Sequence, residues 1–262
     1  MTPIERIAPP SAEEFRERYV KPGRPVIVTG VMDSWPALQK WSLEYLSDAF
    51  GARTVPVARV AEGKVELAES GFAFNEGVGF GAFLARLAGG GRDGLPFDGY
   101  VTVDPAEYLP ELLGDLRVPD FRPEAPWTLN GFWLSSADTR TPLHMDLPDN
   151  LFGQIVGRKK VTLFGPRNEL SMYRCAPWSS GPQISRVDSE APDYERFPRF
   201  RNAHGVQSVL GAGELLYIPR YWWHQMRSLE TSVSVNQWWA TGVSYLVVRL
   251  GLLYQRARKL RY

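Results

Sequence analysis

The stretch "TPLHMDLPDNLFGQIVGRKKVTLF", from Thr141 to Phe164, carries the pattern that decides the fold. It contains three runs dense in strand-forming residues, and polar or glycine-containing turns separate one run from the next. The runs predict strands over Thr141–Asp146, Asn150–Val156 and Lys160–Phe164. Short consecutive strands with tight connections favour a β-sandwich or a jelly roll.

Strand-like runs continue on both sides of this stretch, and helical patterns lie outside them. The further predicted strands are Arg24–Gly30, Arg53–Val60, Gly99–Asp104, Leu129–Ser135, Val206–Leu210, Glu214–Ile218, Gln225–Ser228 and Thr231–Trp238. The predicted helices are Ser11–Val20, Trp41–Gly51, Phe80–Leu87 and Val243–Arg261, and a further short helical stretch, interrupted by Pro110, is predicted over Ala106–Leu116. This order predicts a mainly β fold with flanking helices, built as a double-sheet sandwich or jelly roll with the helices packed outside.

Two segments carry a prediction beyond their secondary structure. Pro56 lies inside the run Arg53–Val60, and because proline cannot donate to a strand ladder we expect an edge strand there. The segment Arg167–Arg201 is long, proline-rich and irregular. Such a long loop is unusual in a compact domain, and its presence indicates a functional segment.

The bulk composition narrows the class of protein. The chain has 262 residues and a formal net charge of +1, which does not indicate a nucleic acid or an anionic membrane as a partner. Cys175 is the only cysteine, which excludes an intramolecular disulfide and suits a reducing compartment. The start of the chain lacks the pattern of a secretory signal, and no apolar run is long enough for a membrane span. We therefore expect a cytoplasmic protein.

His144 and Asp146 have the spacing of two metal ligands on one strand, because alternate side chains of a strand share a face. His224, which follows the proline-containing bend in "YIPRYWWHQM", is a third candidate ligand. Two imidazoles and one carboxylate on one side of a metal are typical of non-haem Fe(II) oxygenases, since the opposite positions stay open. The alternative is a chance H-x-D match with an ordinary histidine. The remaining histidine, His204, lies in a predicted loop and has no assigned role.

An oxygenase of this type also needs a cation and a hydroxyl group to hold a dicarboxylate co-substrate, and Thr141 with a nearby lysine meets that need. Strand parity favours Lys159 over Lys160, because Lys159 shares the face of the apolar residues Val161 and Leu163. A buried ammonium requires an anionic partner. Alternatively, Lys159 lies at a turn and extends to water.

The last predicted strand has a polar face made of Ser232, Ser234, Asn236 and Trp238. A polar face on an otherwise apolar strand indicates that it lines a cavity, where Asn236 and also Asn150 would form hydrogen bonds near the metal. The alternative is a solvent-exposed face of the sheet.

Several ordered segments resemble those of the JmjC/cupin-like 2-oxoglutarate oxygenases, and in particular the asparaginyl hydroxylases among them. They are "RPVIVTGVMDSWPALQKWSLEYL", "TPLHMDLPDNLFGQIVGRKKVTLFGP", "PDYERFPRF", "GAGELLYIPRYWWHQMRSLE" and "SVSVNQWW". The resemblance extends from Pro25 to Trp239. It implies a double-stranded β-helix, which is a jelly roll, with Fe(II) as the metal, 2-oxoglutarate as the co-substrate and dioxygen as the oxidant.

The resemblance also implies a role for each candidate residue. The implied sets are His144, Asp146 and His224 as catalytic ligands of Fe(II), Tyr100, Thr141 and Lys159 around the distal carboxylate of 2-oxoglutarate, Asn150 and Asn236 near the metal and the co-substrate, and Trp238 at the edge of the substrate site. Two regions depart from the family pattern: the glycine-rich stretch Gly71–Gly94 and the residues "LPD" after Asp146. Both regions help to shape the peptide groove in the family.

The function predicted from these observations is hydroxylation of a side chain of a protein or peptide. The alternatives are a small molecule or modified nucleotide as the substrate, N-demethylation as the outcome, and a metal-binding cupin module without turnover. We expect residues 1–242 to form the oxygenase domain, with N-terminal helical and strand additions. Residues 243–262 form a terminal helix with an apolar stripe, which predicts a homodimer, with packing on its own β-core as the alternative.

Overall fold

The computed structural model describes residues 1–68, 71–89, 98–176, 179, 181 and 183–258. Within these residues the chain forms sixteen strands: β1 (Arg6–Ile7), β2 (Val26–Val28), β3 (Thr54–Ala61), β4 (Lys64–Val65), β5 (Leu67–Ala68), β6 (Gly71–Phe72), β7 (Phe74–Gly79), β8 (Asp98–Val103), β9 (Trp127–Ser135), β10 (His144–Met145), β11 (Asp149–Val156), β12 (Lys159–Phe164), β13 (Gly205–Leu210), β14 (Leu215–Ile218), β15 (Trp223–Ser228) and β16 (Ser232–Ala240).

The same residues form six α-helices: α1 (Ala12–Phe15), α2 (Pro36–Lys40), α3 (Leu43–Phe50), α4 (Phe80–Ala88), α5 (Pro105–Tyr108) and α6 (Gly242–Arg258). A π-helical turn continues α1 over Arg16–Val20, and short 3-10 helices cover Pro110–Asp115, Pro166–Ser171 and Pro198–Asn202. None of the helices in the described part of the chain combines the length and the apolar character that a bilayer-crossing segment needs.

The strands form two main sheets. The large sheet has the order β1-β2-β14-β11-β16-β9-β8-β3-β4, with β7 also paired to β3, and the small sheet has the order β10-β15-β12-β13. Strands far apart in the chain are neighbours in both sheets, as in the pairs β2–β14 and β10–β15. Two sheets with such crossing connections and helices outside them confirm the predicted jelly roll.

One face of the large sheet packs against the small sheet. Phe152 and Ile218 project from the large sheet into the same apolar cluster as Val161 and Met226 of the small sheet. The alternate residues on these large-sheet strands project to the other side, because successive side chains of a strand point to opposite faces. The interior between the two sheets is therefore apolar where the strands are fully paired.

The opposite face of the large sheet packs against the N-terminal helices. Leu151 and Tyr217 belong to one cluster with Phe15 of α1 and with Trp35 and Trp41, which flank α2. Both faces of this sheet are thus buried, which explains why β11 and β14 have few exposed residues. The helices hold the sheet from outside and leave its inner face to shape a site.

The prediction of an edge strand at Pro56 is wrong. β3 pairs with β8 on one side and with β7 and β4 on the other, so it lies inside the sheet. The missing N–H of Pro56 is accommodated by a register shift in the β3–β7 ladder between Val55 and Val57. A bulge at this position lets the ladder skip the one residue that cannot donate.

The predicted strand Thr141–Asp146 is shorter in the structure, where only His144–Met145 forms β10. Pro142 has no N–H and interrupts the ladder, although the Thr141 N–H still donates to the carbonyl oxygen of Met226 at 3.0 Å. The predicted terminal helix ends at Arg258 in the described structure, and residues 259–262 lie outside it. Part of the glycine-rich stretch, residues 90–97, also lies outside the described residues.

Candidate metal centre and its cavity

His144 and His224 are direct cross-strand neighbours, although they lie far apart in the chain. His144 belongs to β10 and His224 to β15, and the two residues are register partners in this antiparallel pair. Their ring centroids lie 4.1 Å apart. The pairing of two short strands therefore brings the two imidazoles to the same point.

Asp146 completes the group from the first residue after β10. Its Oδ2 lies 3.7 Å from Nε2 of His224. One possible ligand atom from each of His144, Asp146 and His224 lies within 4.8 Å of the others, which is close enough for all three to hold one metal ion. The structure thus brings together the three residues that the spacing predicted as ligands.

Backbone carbonyl groups fix the orientation of both rings. Nδ1 of His144 lies 2.8 Å from the carbonyl oxygen of Pro142, and Nδ1 of His224 lies 3.0 Å from that of Trp222. A ring that donates Nδ1–H to a carbonyl carries its lone pair on Nε2, which then faces a metal. Burial, assisted by the neighbouring His224, lowers the pKa of His144 to about 4, so that this ring is neutral at physiological pH.

These donors fit Fe(II). Two imidazoles and one carboxylate form the facial set that leaves adjacent positions open, whereas structural zinc sites enclose the ion with four protein ligands. Within the described residues the cluster contains three possible ligands, and its histidines are oriented by backbone carbonyls rather than by a fourth ligand.

The cluster lies in a cavity of about 840 Å³. This volume is within the range of roughly 300–1,000 Å³ that is usual for small-molecule sites. Aromatic and apolar side chains from both sheets form much of the wall, among them Tyr100, Trp133, Phe152 and Met226. The cavity has room for a small co-substrate and for a substrate side chain next to it.

Lys159 is buried beside this cavity, with 1% of its surface exposed. Its ammonium lies 5.5 Å from the ring centroid of Phe152 and 6.0 Å from that of Tyr100. In the described part of the chain no carboxylate lies within salt-bridge distance of it. Lys160 instead remains partly exposed and pairs with Glu190, as strand parity predicts. Because an unpaired buried ammonium is costly, Lys159 is a candidate binding group for an anionic ligand.

Burial lowers the pKa of Lys159 to about 7 and raises the pKa of Tyr100 well above its usual range. Tyr100 therefore stays protonated and acts as a donor. Thr141, which is 6% exposed, lines the same cavity, and its Oγ1 accepts the Met226 N–H at 3.1 Å. The Thr141 hydroxyl proton remains available to an acceptor. An ammonium and two hydroxyl donors around one space match the needs of a carboxylate.

A chain of hydrogen bonds connects β16 to Asp146. Nδ2 of Asn236 donates to Oδ1 of Asn150 at 2.8 Å, and Nδ2 of Asn150 lies 3.4 Å from Oδ2 of Asp146. Nε1 of Trp238 donates to the same Asp146 oxygen at 2.8 Å. Trp238, predicted at the substrate edge, thus both lines the cavity and orients the carboxylate.

The polar face of β16 is buried, so the alternative of a solvent-exposed face is wrong. Ser232 and Ser234 are fully buried, and Asn236 is 3% exposed. The hydroxyl of Ser234 donates to Oε1 of Gln154 at 2.8 Å. Neighbouring side chains therefore satisfy this part of the face, and Asn236 and Trp238 form its cavity-lining end.

Trp133 also lines the cavity and is not among the site residues that the sequence predicts. Its ring centroid lies 5.6 Å from that of Tyr100 and 6.0 Å from that of Trp238. Its Nε1 is buried and has no hydrogen-bond partner among the described residues, and the same holds for Oδ1 of Asn236. A donor and an acceptor without protein partners in one cavity indicate a polar ligand.

Gly131 makes room for this arrangement on the neighbouring strand. A Cβ atom at Gly131 would lie 2.8 Å from the ring of Trp238 and 3.1 Å from Nε1 of Trp133. Because residues 129, 131, 133 and 135 share a face of the predicted strand Leu129–Ser135, strand parity was the available signal for both residues.

The more exposed part of the cavity is acidic. Asp104 is half-buried and Glu107 is exposed, and both line the cavity. No lysine or arginine of the described chain belongs to the cavity lining. Tyr108 and Trp127 lie in the same part of the wall and add aromatic surface. This combination of carboxylates and rings favours a cationic group with an apolar stem.

Helix α6 forms another part of the cavity wall through Val248, Gly251 and Leu252. A Cβ atom at Gly251 would lie 2.9 Å from Cδ1 of Leu147, so the helix closely approaches the segment that follows Asp146. The other side of α6 exposes a row of large apolar side chains: Val243, Leu246, Leu250 and Leu253. The helix therefore packs on the domain with one face and leaves an apolar face in contact with solvent.

The long segment Arg167–Arg201 also reaches the cavity. The Met145 N–H donates to the carbonyl oxygen of Gln183 at 3.0 Å, and the Ser185 N–H donates to that of Leu143 at 2.8 Å. These bonds place Gln183 and Ile184 in the cavity wall beside β10. The segment that the sequence predicts to be functional thus forms part of the candidate site.

Comparison with known proteins agrees with the fold described above. A model of the cupin-like domain matches residues 11–245. The chain is 36% identical over 250 residues to a lysine-specific demethylase 8 of Xenopus tropicalis, which covers 91% of this chain and 53% of that protein. It is 34% identical over 244 residues to the lysine-specific demethylase JMJ30 of Arabidopsis thaliana, covering 90% of this chain and 54% of that protein.

The chain is also 29% identical over 245 residues to a tRNA wybutosine-synthesizing protein 5 of Gallus gallus, covering 86% of this chain and 74% of that protein. The chain spans about half the length of the demethylase relatives it matches. The names of these relatives support the JmjC/cupin-like family as a whole, without singling out the asparaginyl hydroxylases that the resemblance favoured.

Proposed function

Because the chain belongs to the cupin-like domain family, we propose that it is an Fe(II)- and 2-oxoglutarate-dependent dioxygenase that hydroxylates a C–H bond in a side chain of a protein or peptide. The observation that carries the proposal is that a possible metal-binding group lines the cavity and a buried ammonium lies against the cavity residues Tyr100 and Phe152. His144, Asp146 and His224 form a facial metal-binding group, and Lys159 is a buried cation without a carboxylate partner among the described residues.

The family and the donor set agree on the cofactors. Fe(II) and 2-oxoglutarate are the cofactors of the JmjC oxygenases in this family, and this chain has the three donor groups that such a metal needs. When bound, the metal and the co-substrate supply the activation of dioxygen and the oxidation of the C–H bond.

In our proposal the residues of the chain bind the metal and the co-substrate, orient them and shield them from water. In our proposal His144, Asp146 and His224 hold the metal, with the Nδ1–H groups of both rings anchored on carbonyls and Asp146 anchored on Trp238. Lys159, Thr141 and Tyr100 hold the distal carboxylate of 2-oxoglutarate. Three such donors around one carboxylate stabilise it strongly, because each charge-assisted bond contributes about 1.5–3 kcal/mol.

Asn150, Asn236 and Trp133 line the same cavity. The buried Asn236 Oδ1 and Trp133 Nε1 have no protein partner among the described residues, so they are available to a bound molecule. In this proposal they orient the co-substrate or the substrate beside the metal. The aromatic and apolar wall excludes water, which strengthens the polar contacts inside.

For the substrate, we propose a cationic side chain such as that of arginine or lysine, including an N-methylated form. Asp104 and Glu107 supply negative charge, Tyr108 and Trp127 supply aromatic faces, and the rest of the cavity accepts the apolar stem. Two relatives are named as lysine-specific demethylases, which agrees with a basic side chain. Hydroxylation of an N-methyl group would lead to demethylation, so both outcomes start with the same oxidation.

A modified nucleotide is the second candidate substrate, and the similarity to tRNA wybutosine-synthesizing protein 5 favours it. The charge of the cavity opposes it, because acidic residues line the more exposed part and repel a phosphate backbone. A non-catalytic metal-binding module is a third hypothesis. It does not explain the buried ammonium of Lys159, since a structural metal needs no carboxylate-binding group.

Two further proposals follow from the sequence. We propose that the oxygenase domain is cytoplasmic and that two copies associate through the exposed apolar face of α6, which contains Val243, Leu246, Leu250 and Leu253. The face turned to the cavity contains Val248 and Leu252. The helix would therefore connect the dimer contact to the cavity wall.

The test of the proposed function is succinate formation from 2-oxoglutarate by purified protein supplied with Fe(II), ascorbate and a set of arginine- and lysine-containing peptides. We expect succinate that depends on iron, on oxygen and on a cationic peptide, and a mass increase of one oxygen atom on the peptide or loss of a methyl group. Neutral analogues with norleucine at the basic positions are the matched peptide controls.

Three outcomes would decide between the candidates. Metal binding without any succinate would support the non-catalytic module and contradict the oxygenase. Turnover with transfer RNA but with no peptide would support the nucleotide substrate. Equal turnover with the basic and the norleucine peptides would contradict the cationic substrate while leaving the oxygenase proposal intact.

A further inference from the structure

The bend between β14 and β15, formed by Pro219, Arg220, Tyr221 and Trp222, contacts both halves of the metal group. The Tyr221 N–H donates to the backbone carbonyl of Asp146 at 2.8 Å. The carbonyl of Trp222 lies 3.0 Å from Nδ1 of His224. The bend therefore contacts both Asp146, which carries the carboxylate ligand, and His224, which follows the bend in the chain.

This bend does not hold its conformation by local preference. Tyr221 has φ of 66°, in the left-handed region that residues other than glycine rarely adopt. Such a residue persists only where the surrounding structure fixes it. Contacts with other parts of the chain must therefore fix the bend in the position that serves the metal group.

Asp149 is the side chain that holds the bend. It is 2% exposed, and its Oδ1 accepts the Tyr217 hydroxyl at 2.7 Å and the Arg220 N–H at 3.2 Å. Its Oδ2 accepts from Nη1 of Arg220 at 3.2 Å. Three donors from the end of β14 and the start of the bend thus converge on one buried carboxylate. On the far side of the bend, Nε1 of Trp222 donates to the carbonyl of Gly23 at 2.9 Å.

Asp149 is also well placed along its own chain. It precedes Asn150, whose side chain approaches the Asp146 carboxylate, and its backbone pairs with Trp239 in the β11–β16 ladder. The carboxylate is therefore fixed to the large sheet. A buried carboxylate that is fully hydrogen-bonded and fixed to a sheet is a rigid anchor, and loss of its charge would leave the Arg220 guanidinium facing a neutral group.

We propose that Asp149 is a positioning residue for the metal centre, which sets the separation of Asp146 and His224 by holding the bend through Tyr217 and Arg220. It does not touch the metal. It acts through two backbone contacts, Tyr221 N–H on the Asp146 carbonyl and the Trp222 carbonyl on the His224 ring. This inference rests on the metal site of the proposed function and adds the residue that gives the site its geometry.

The test measures metal binding directly, with Co(II) as an oxygen-stable probe whose visible absorption reports coordination geometry. We expect Asp149→Asn to weaken Co(II) binding by about 10- to 100-fold, which is the range for residues that orient metal ligands, and to change the absorption spectrum. The amide introduced by this substitution keeps one acceptor oxygen and replaces the other with an NH2 group, so that in either orientation a donor meets a donor and the bend loses one anchor.

Asp115→Asn is the matched control. Asp115 is 6% exposed and accepts from Nζ of Lys40 at 2.6 Å and Nε1 of Trp41 at 3.0 Å, so it is another buried, ion-paired carboxylate outside the cavity. We expect Asp115→Asn to destabilise the metal-free protein to chemical unfolding while Co(II) affinity and spectrum stay at the wild-type values. A merely structural role for Asp149 would give both variants the same result.

A milder pair of variants keeps the inference falsifiable if Asp149→Asn does not fold. Tyr217→Phe removes one donor and keeps the ring, and Arg220→Met removes the ion pair at a side chain that is 41% exposed. We expect each to weaken Co(II) binding by several-fold. Wild-type Co(II) affinity and spectrum in every folded variant would overturn the positioning role. Failure of the wild-type protein itself to bind Co(II) would instead overturn the metal site.

Discussion

The two ends of the cavity differ in how their residues are held. At the metal end, His144, His224 and Asp146 each have a hydrogen bond to a backbone carbonyl or to the indole of Trp238, and Lys159 is buried. At the acidic end, Glu107 is exposed, and Asp104, Tyr108 and Trp127 are half-buried. Hydrogen bonds within the chain therefore orient the side chains of the first end before any ligand binds, whereas the second end is more open to solvent.

The two ends of the cavity also differ in the parts of the chain that supply their residues. The stretch between Thr141 and Phe164 supplies five groups at the metal end, on strands of the jelly roll or next to them: Thr141, His144, Asp146, Asn150 and Lys159. The acidic end combines the start of α5 with the start of β9, which belong to separate parts of the chain. A reaction centre needs side chains that are held in place before the substrate binds. Recognition of the substrate depends more on peripheral elements of the fold.

The largest expected effect is loss of the metal. His144→Ala and His224→Ala each remove one ligand, so we expect Fe(II) or Co(II) affinity to fall by more than about 100-fold, since loss of a mere orienting residue costs 10- to 100-fold. Succinate formation should fall to background. Calorimetric titration of Co(II) and a succinate assay measure both effects.

His204→Ala is the control for the histidine variants, because His204 is exposed and lies outside the cavity lining. It should bind metal and turn over like the wild type. Wild-type turnover in either ligand variant would remove that residue from the centre and would erase the difference between the two ends of the cavity.

The next effect concerns the buried cation. Lys159→Met removes a charge-assisted contact worth about 1.5–3 kcal/mol, so we expect the 2-oxoglutarate concentration for half-maximal rate to rise by about 10- to 100-fold. Lys160→Met is the matched control, since Lys160 pairs with Glu190 on the outer side. An unchanged 2-oxoglutarate requirement in Lys159→Met would place the co-substrate elsewhere.

We also expect Lys159→Met to change the way in which the stability of the protein depends on pH. In the folded protein burial lowers the pKa of Lys159 to about 7 from its ordinary value of 10.5. Between these two pH values the unfolded chain therefore binds more protons than the folded chain. The buried ammonium of Lys159 lowers the free energy of unfolding, and this cost is complete below about pH 7 and disappears as the pH rises toward 10.5. We expect ligand-free Lys159→Met to melt at a higher temperature than the wild type at neutral pH.

The gain in melting temperature should shrink with rising pH and should be smaller in the presence of 2-oxoglutarate and Co(II), because a bound carboxylate compensates the ammonium of the wild type. Thermal denaturation followed by circular dichroism at several pH values measures it. A variant that is less stable than the wild type at neutral pH would show that packing of the lysine stem outweighs the cost of its charge.

A smaller effect is expected at the acidic end. Asp104→Asn and Glu107→Gln remove one charge each, and partly exposed ion pairs contribute about 0.2–1 kcal/mol, so KM for a cationic peptide should rise by about two- to fivefold per variant. Because Asn also caps helices, Asp104→Asn keeps the cap on the Ala106 N–H. The value of kcat and the KM for 2-oxoglutarate should stay unchanged.

Salt is a second way to examine the acidic end. Raising the ionic strength should increase KM for the cationic peptide in the wild type and should have less effect in the double variant, because screening removes the same interaction. A change in kcat rather than in KM would mean that Asp104 or Glu107 acts on the reaction itself, and the two ends of the cavity would then not be separate in function.

The smallest effect on chemistry is expected at the outer face of α6. Leu246 and Leu250 are 59% and 66% exposed, and the double substitution to lysine should convert a dimer to a monomer in light scattering at micromolar concentration. Val209→Lys is the control, because Val209 is 40% exposed on β13 and belongs to a different surface. A monomeric wild-type protein would contradict the proposed dimer.

Much of the fold was predictable from local pattern. Alternation and turn residues predicted the strands around Thr141–Phe164, and Ser11 and Ser42 cap the helices expected near them, with their hydroxyls accepting from Glu14 and Tyr45 N–H. The edge strand at Pro56 was predicted wrongly, because the bulge that accommodates a proline depends on the partner strand β7, which the local sequence does not specify.

The candidate site was predictable where its residues are close in sequence. Parity placed Lys159 inward and Lys160 outward, and spacing selected His144 with Asp146. Trp133, Gly131 and the acidic pair Asp104 and Glu107 were not predicted as part of the site. Their role depends on which strands become neighbours, and that depends on long-range pairing rather than on local pattern.

The sequence by itself determined the chemistry that the chain is equipped for, because ligand types and strand alternation are local properties that a single stretch carries. Only the tertiary structure decided the register partnership of His144 with His224, the isolation of Lys159 from any described carboxylate, and the bend anchored by Asp149. These features arise from contacts between residues distant in the chain, whose free energy becomes available only when both sheets close around the cavity.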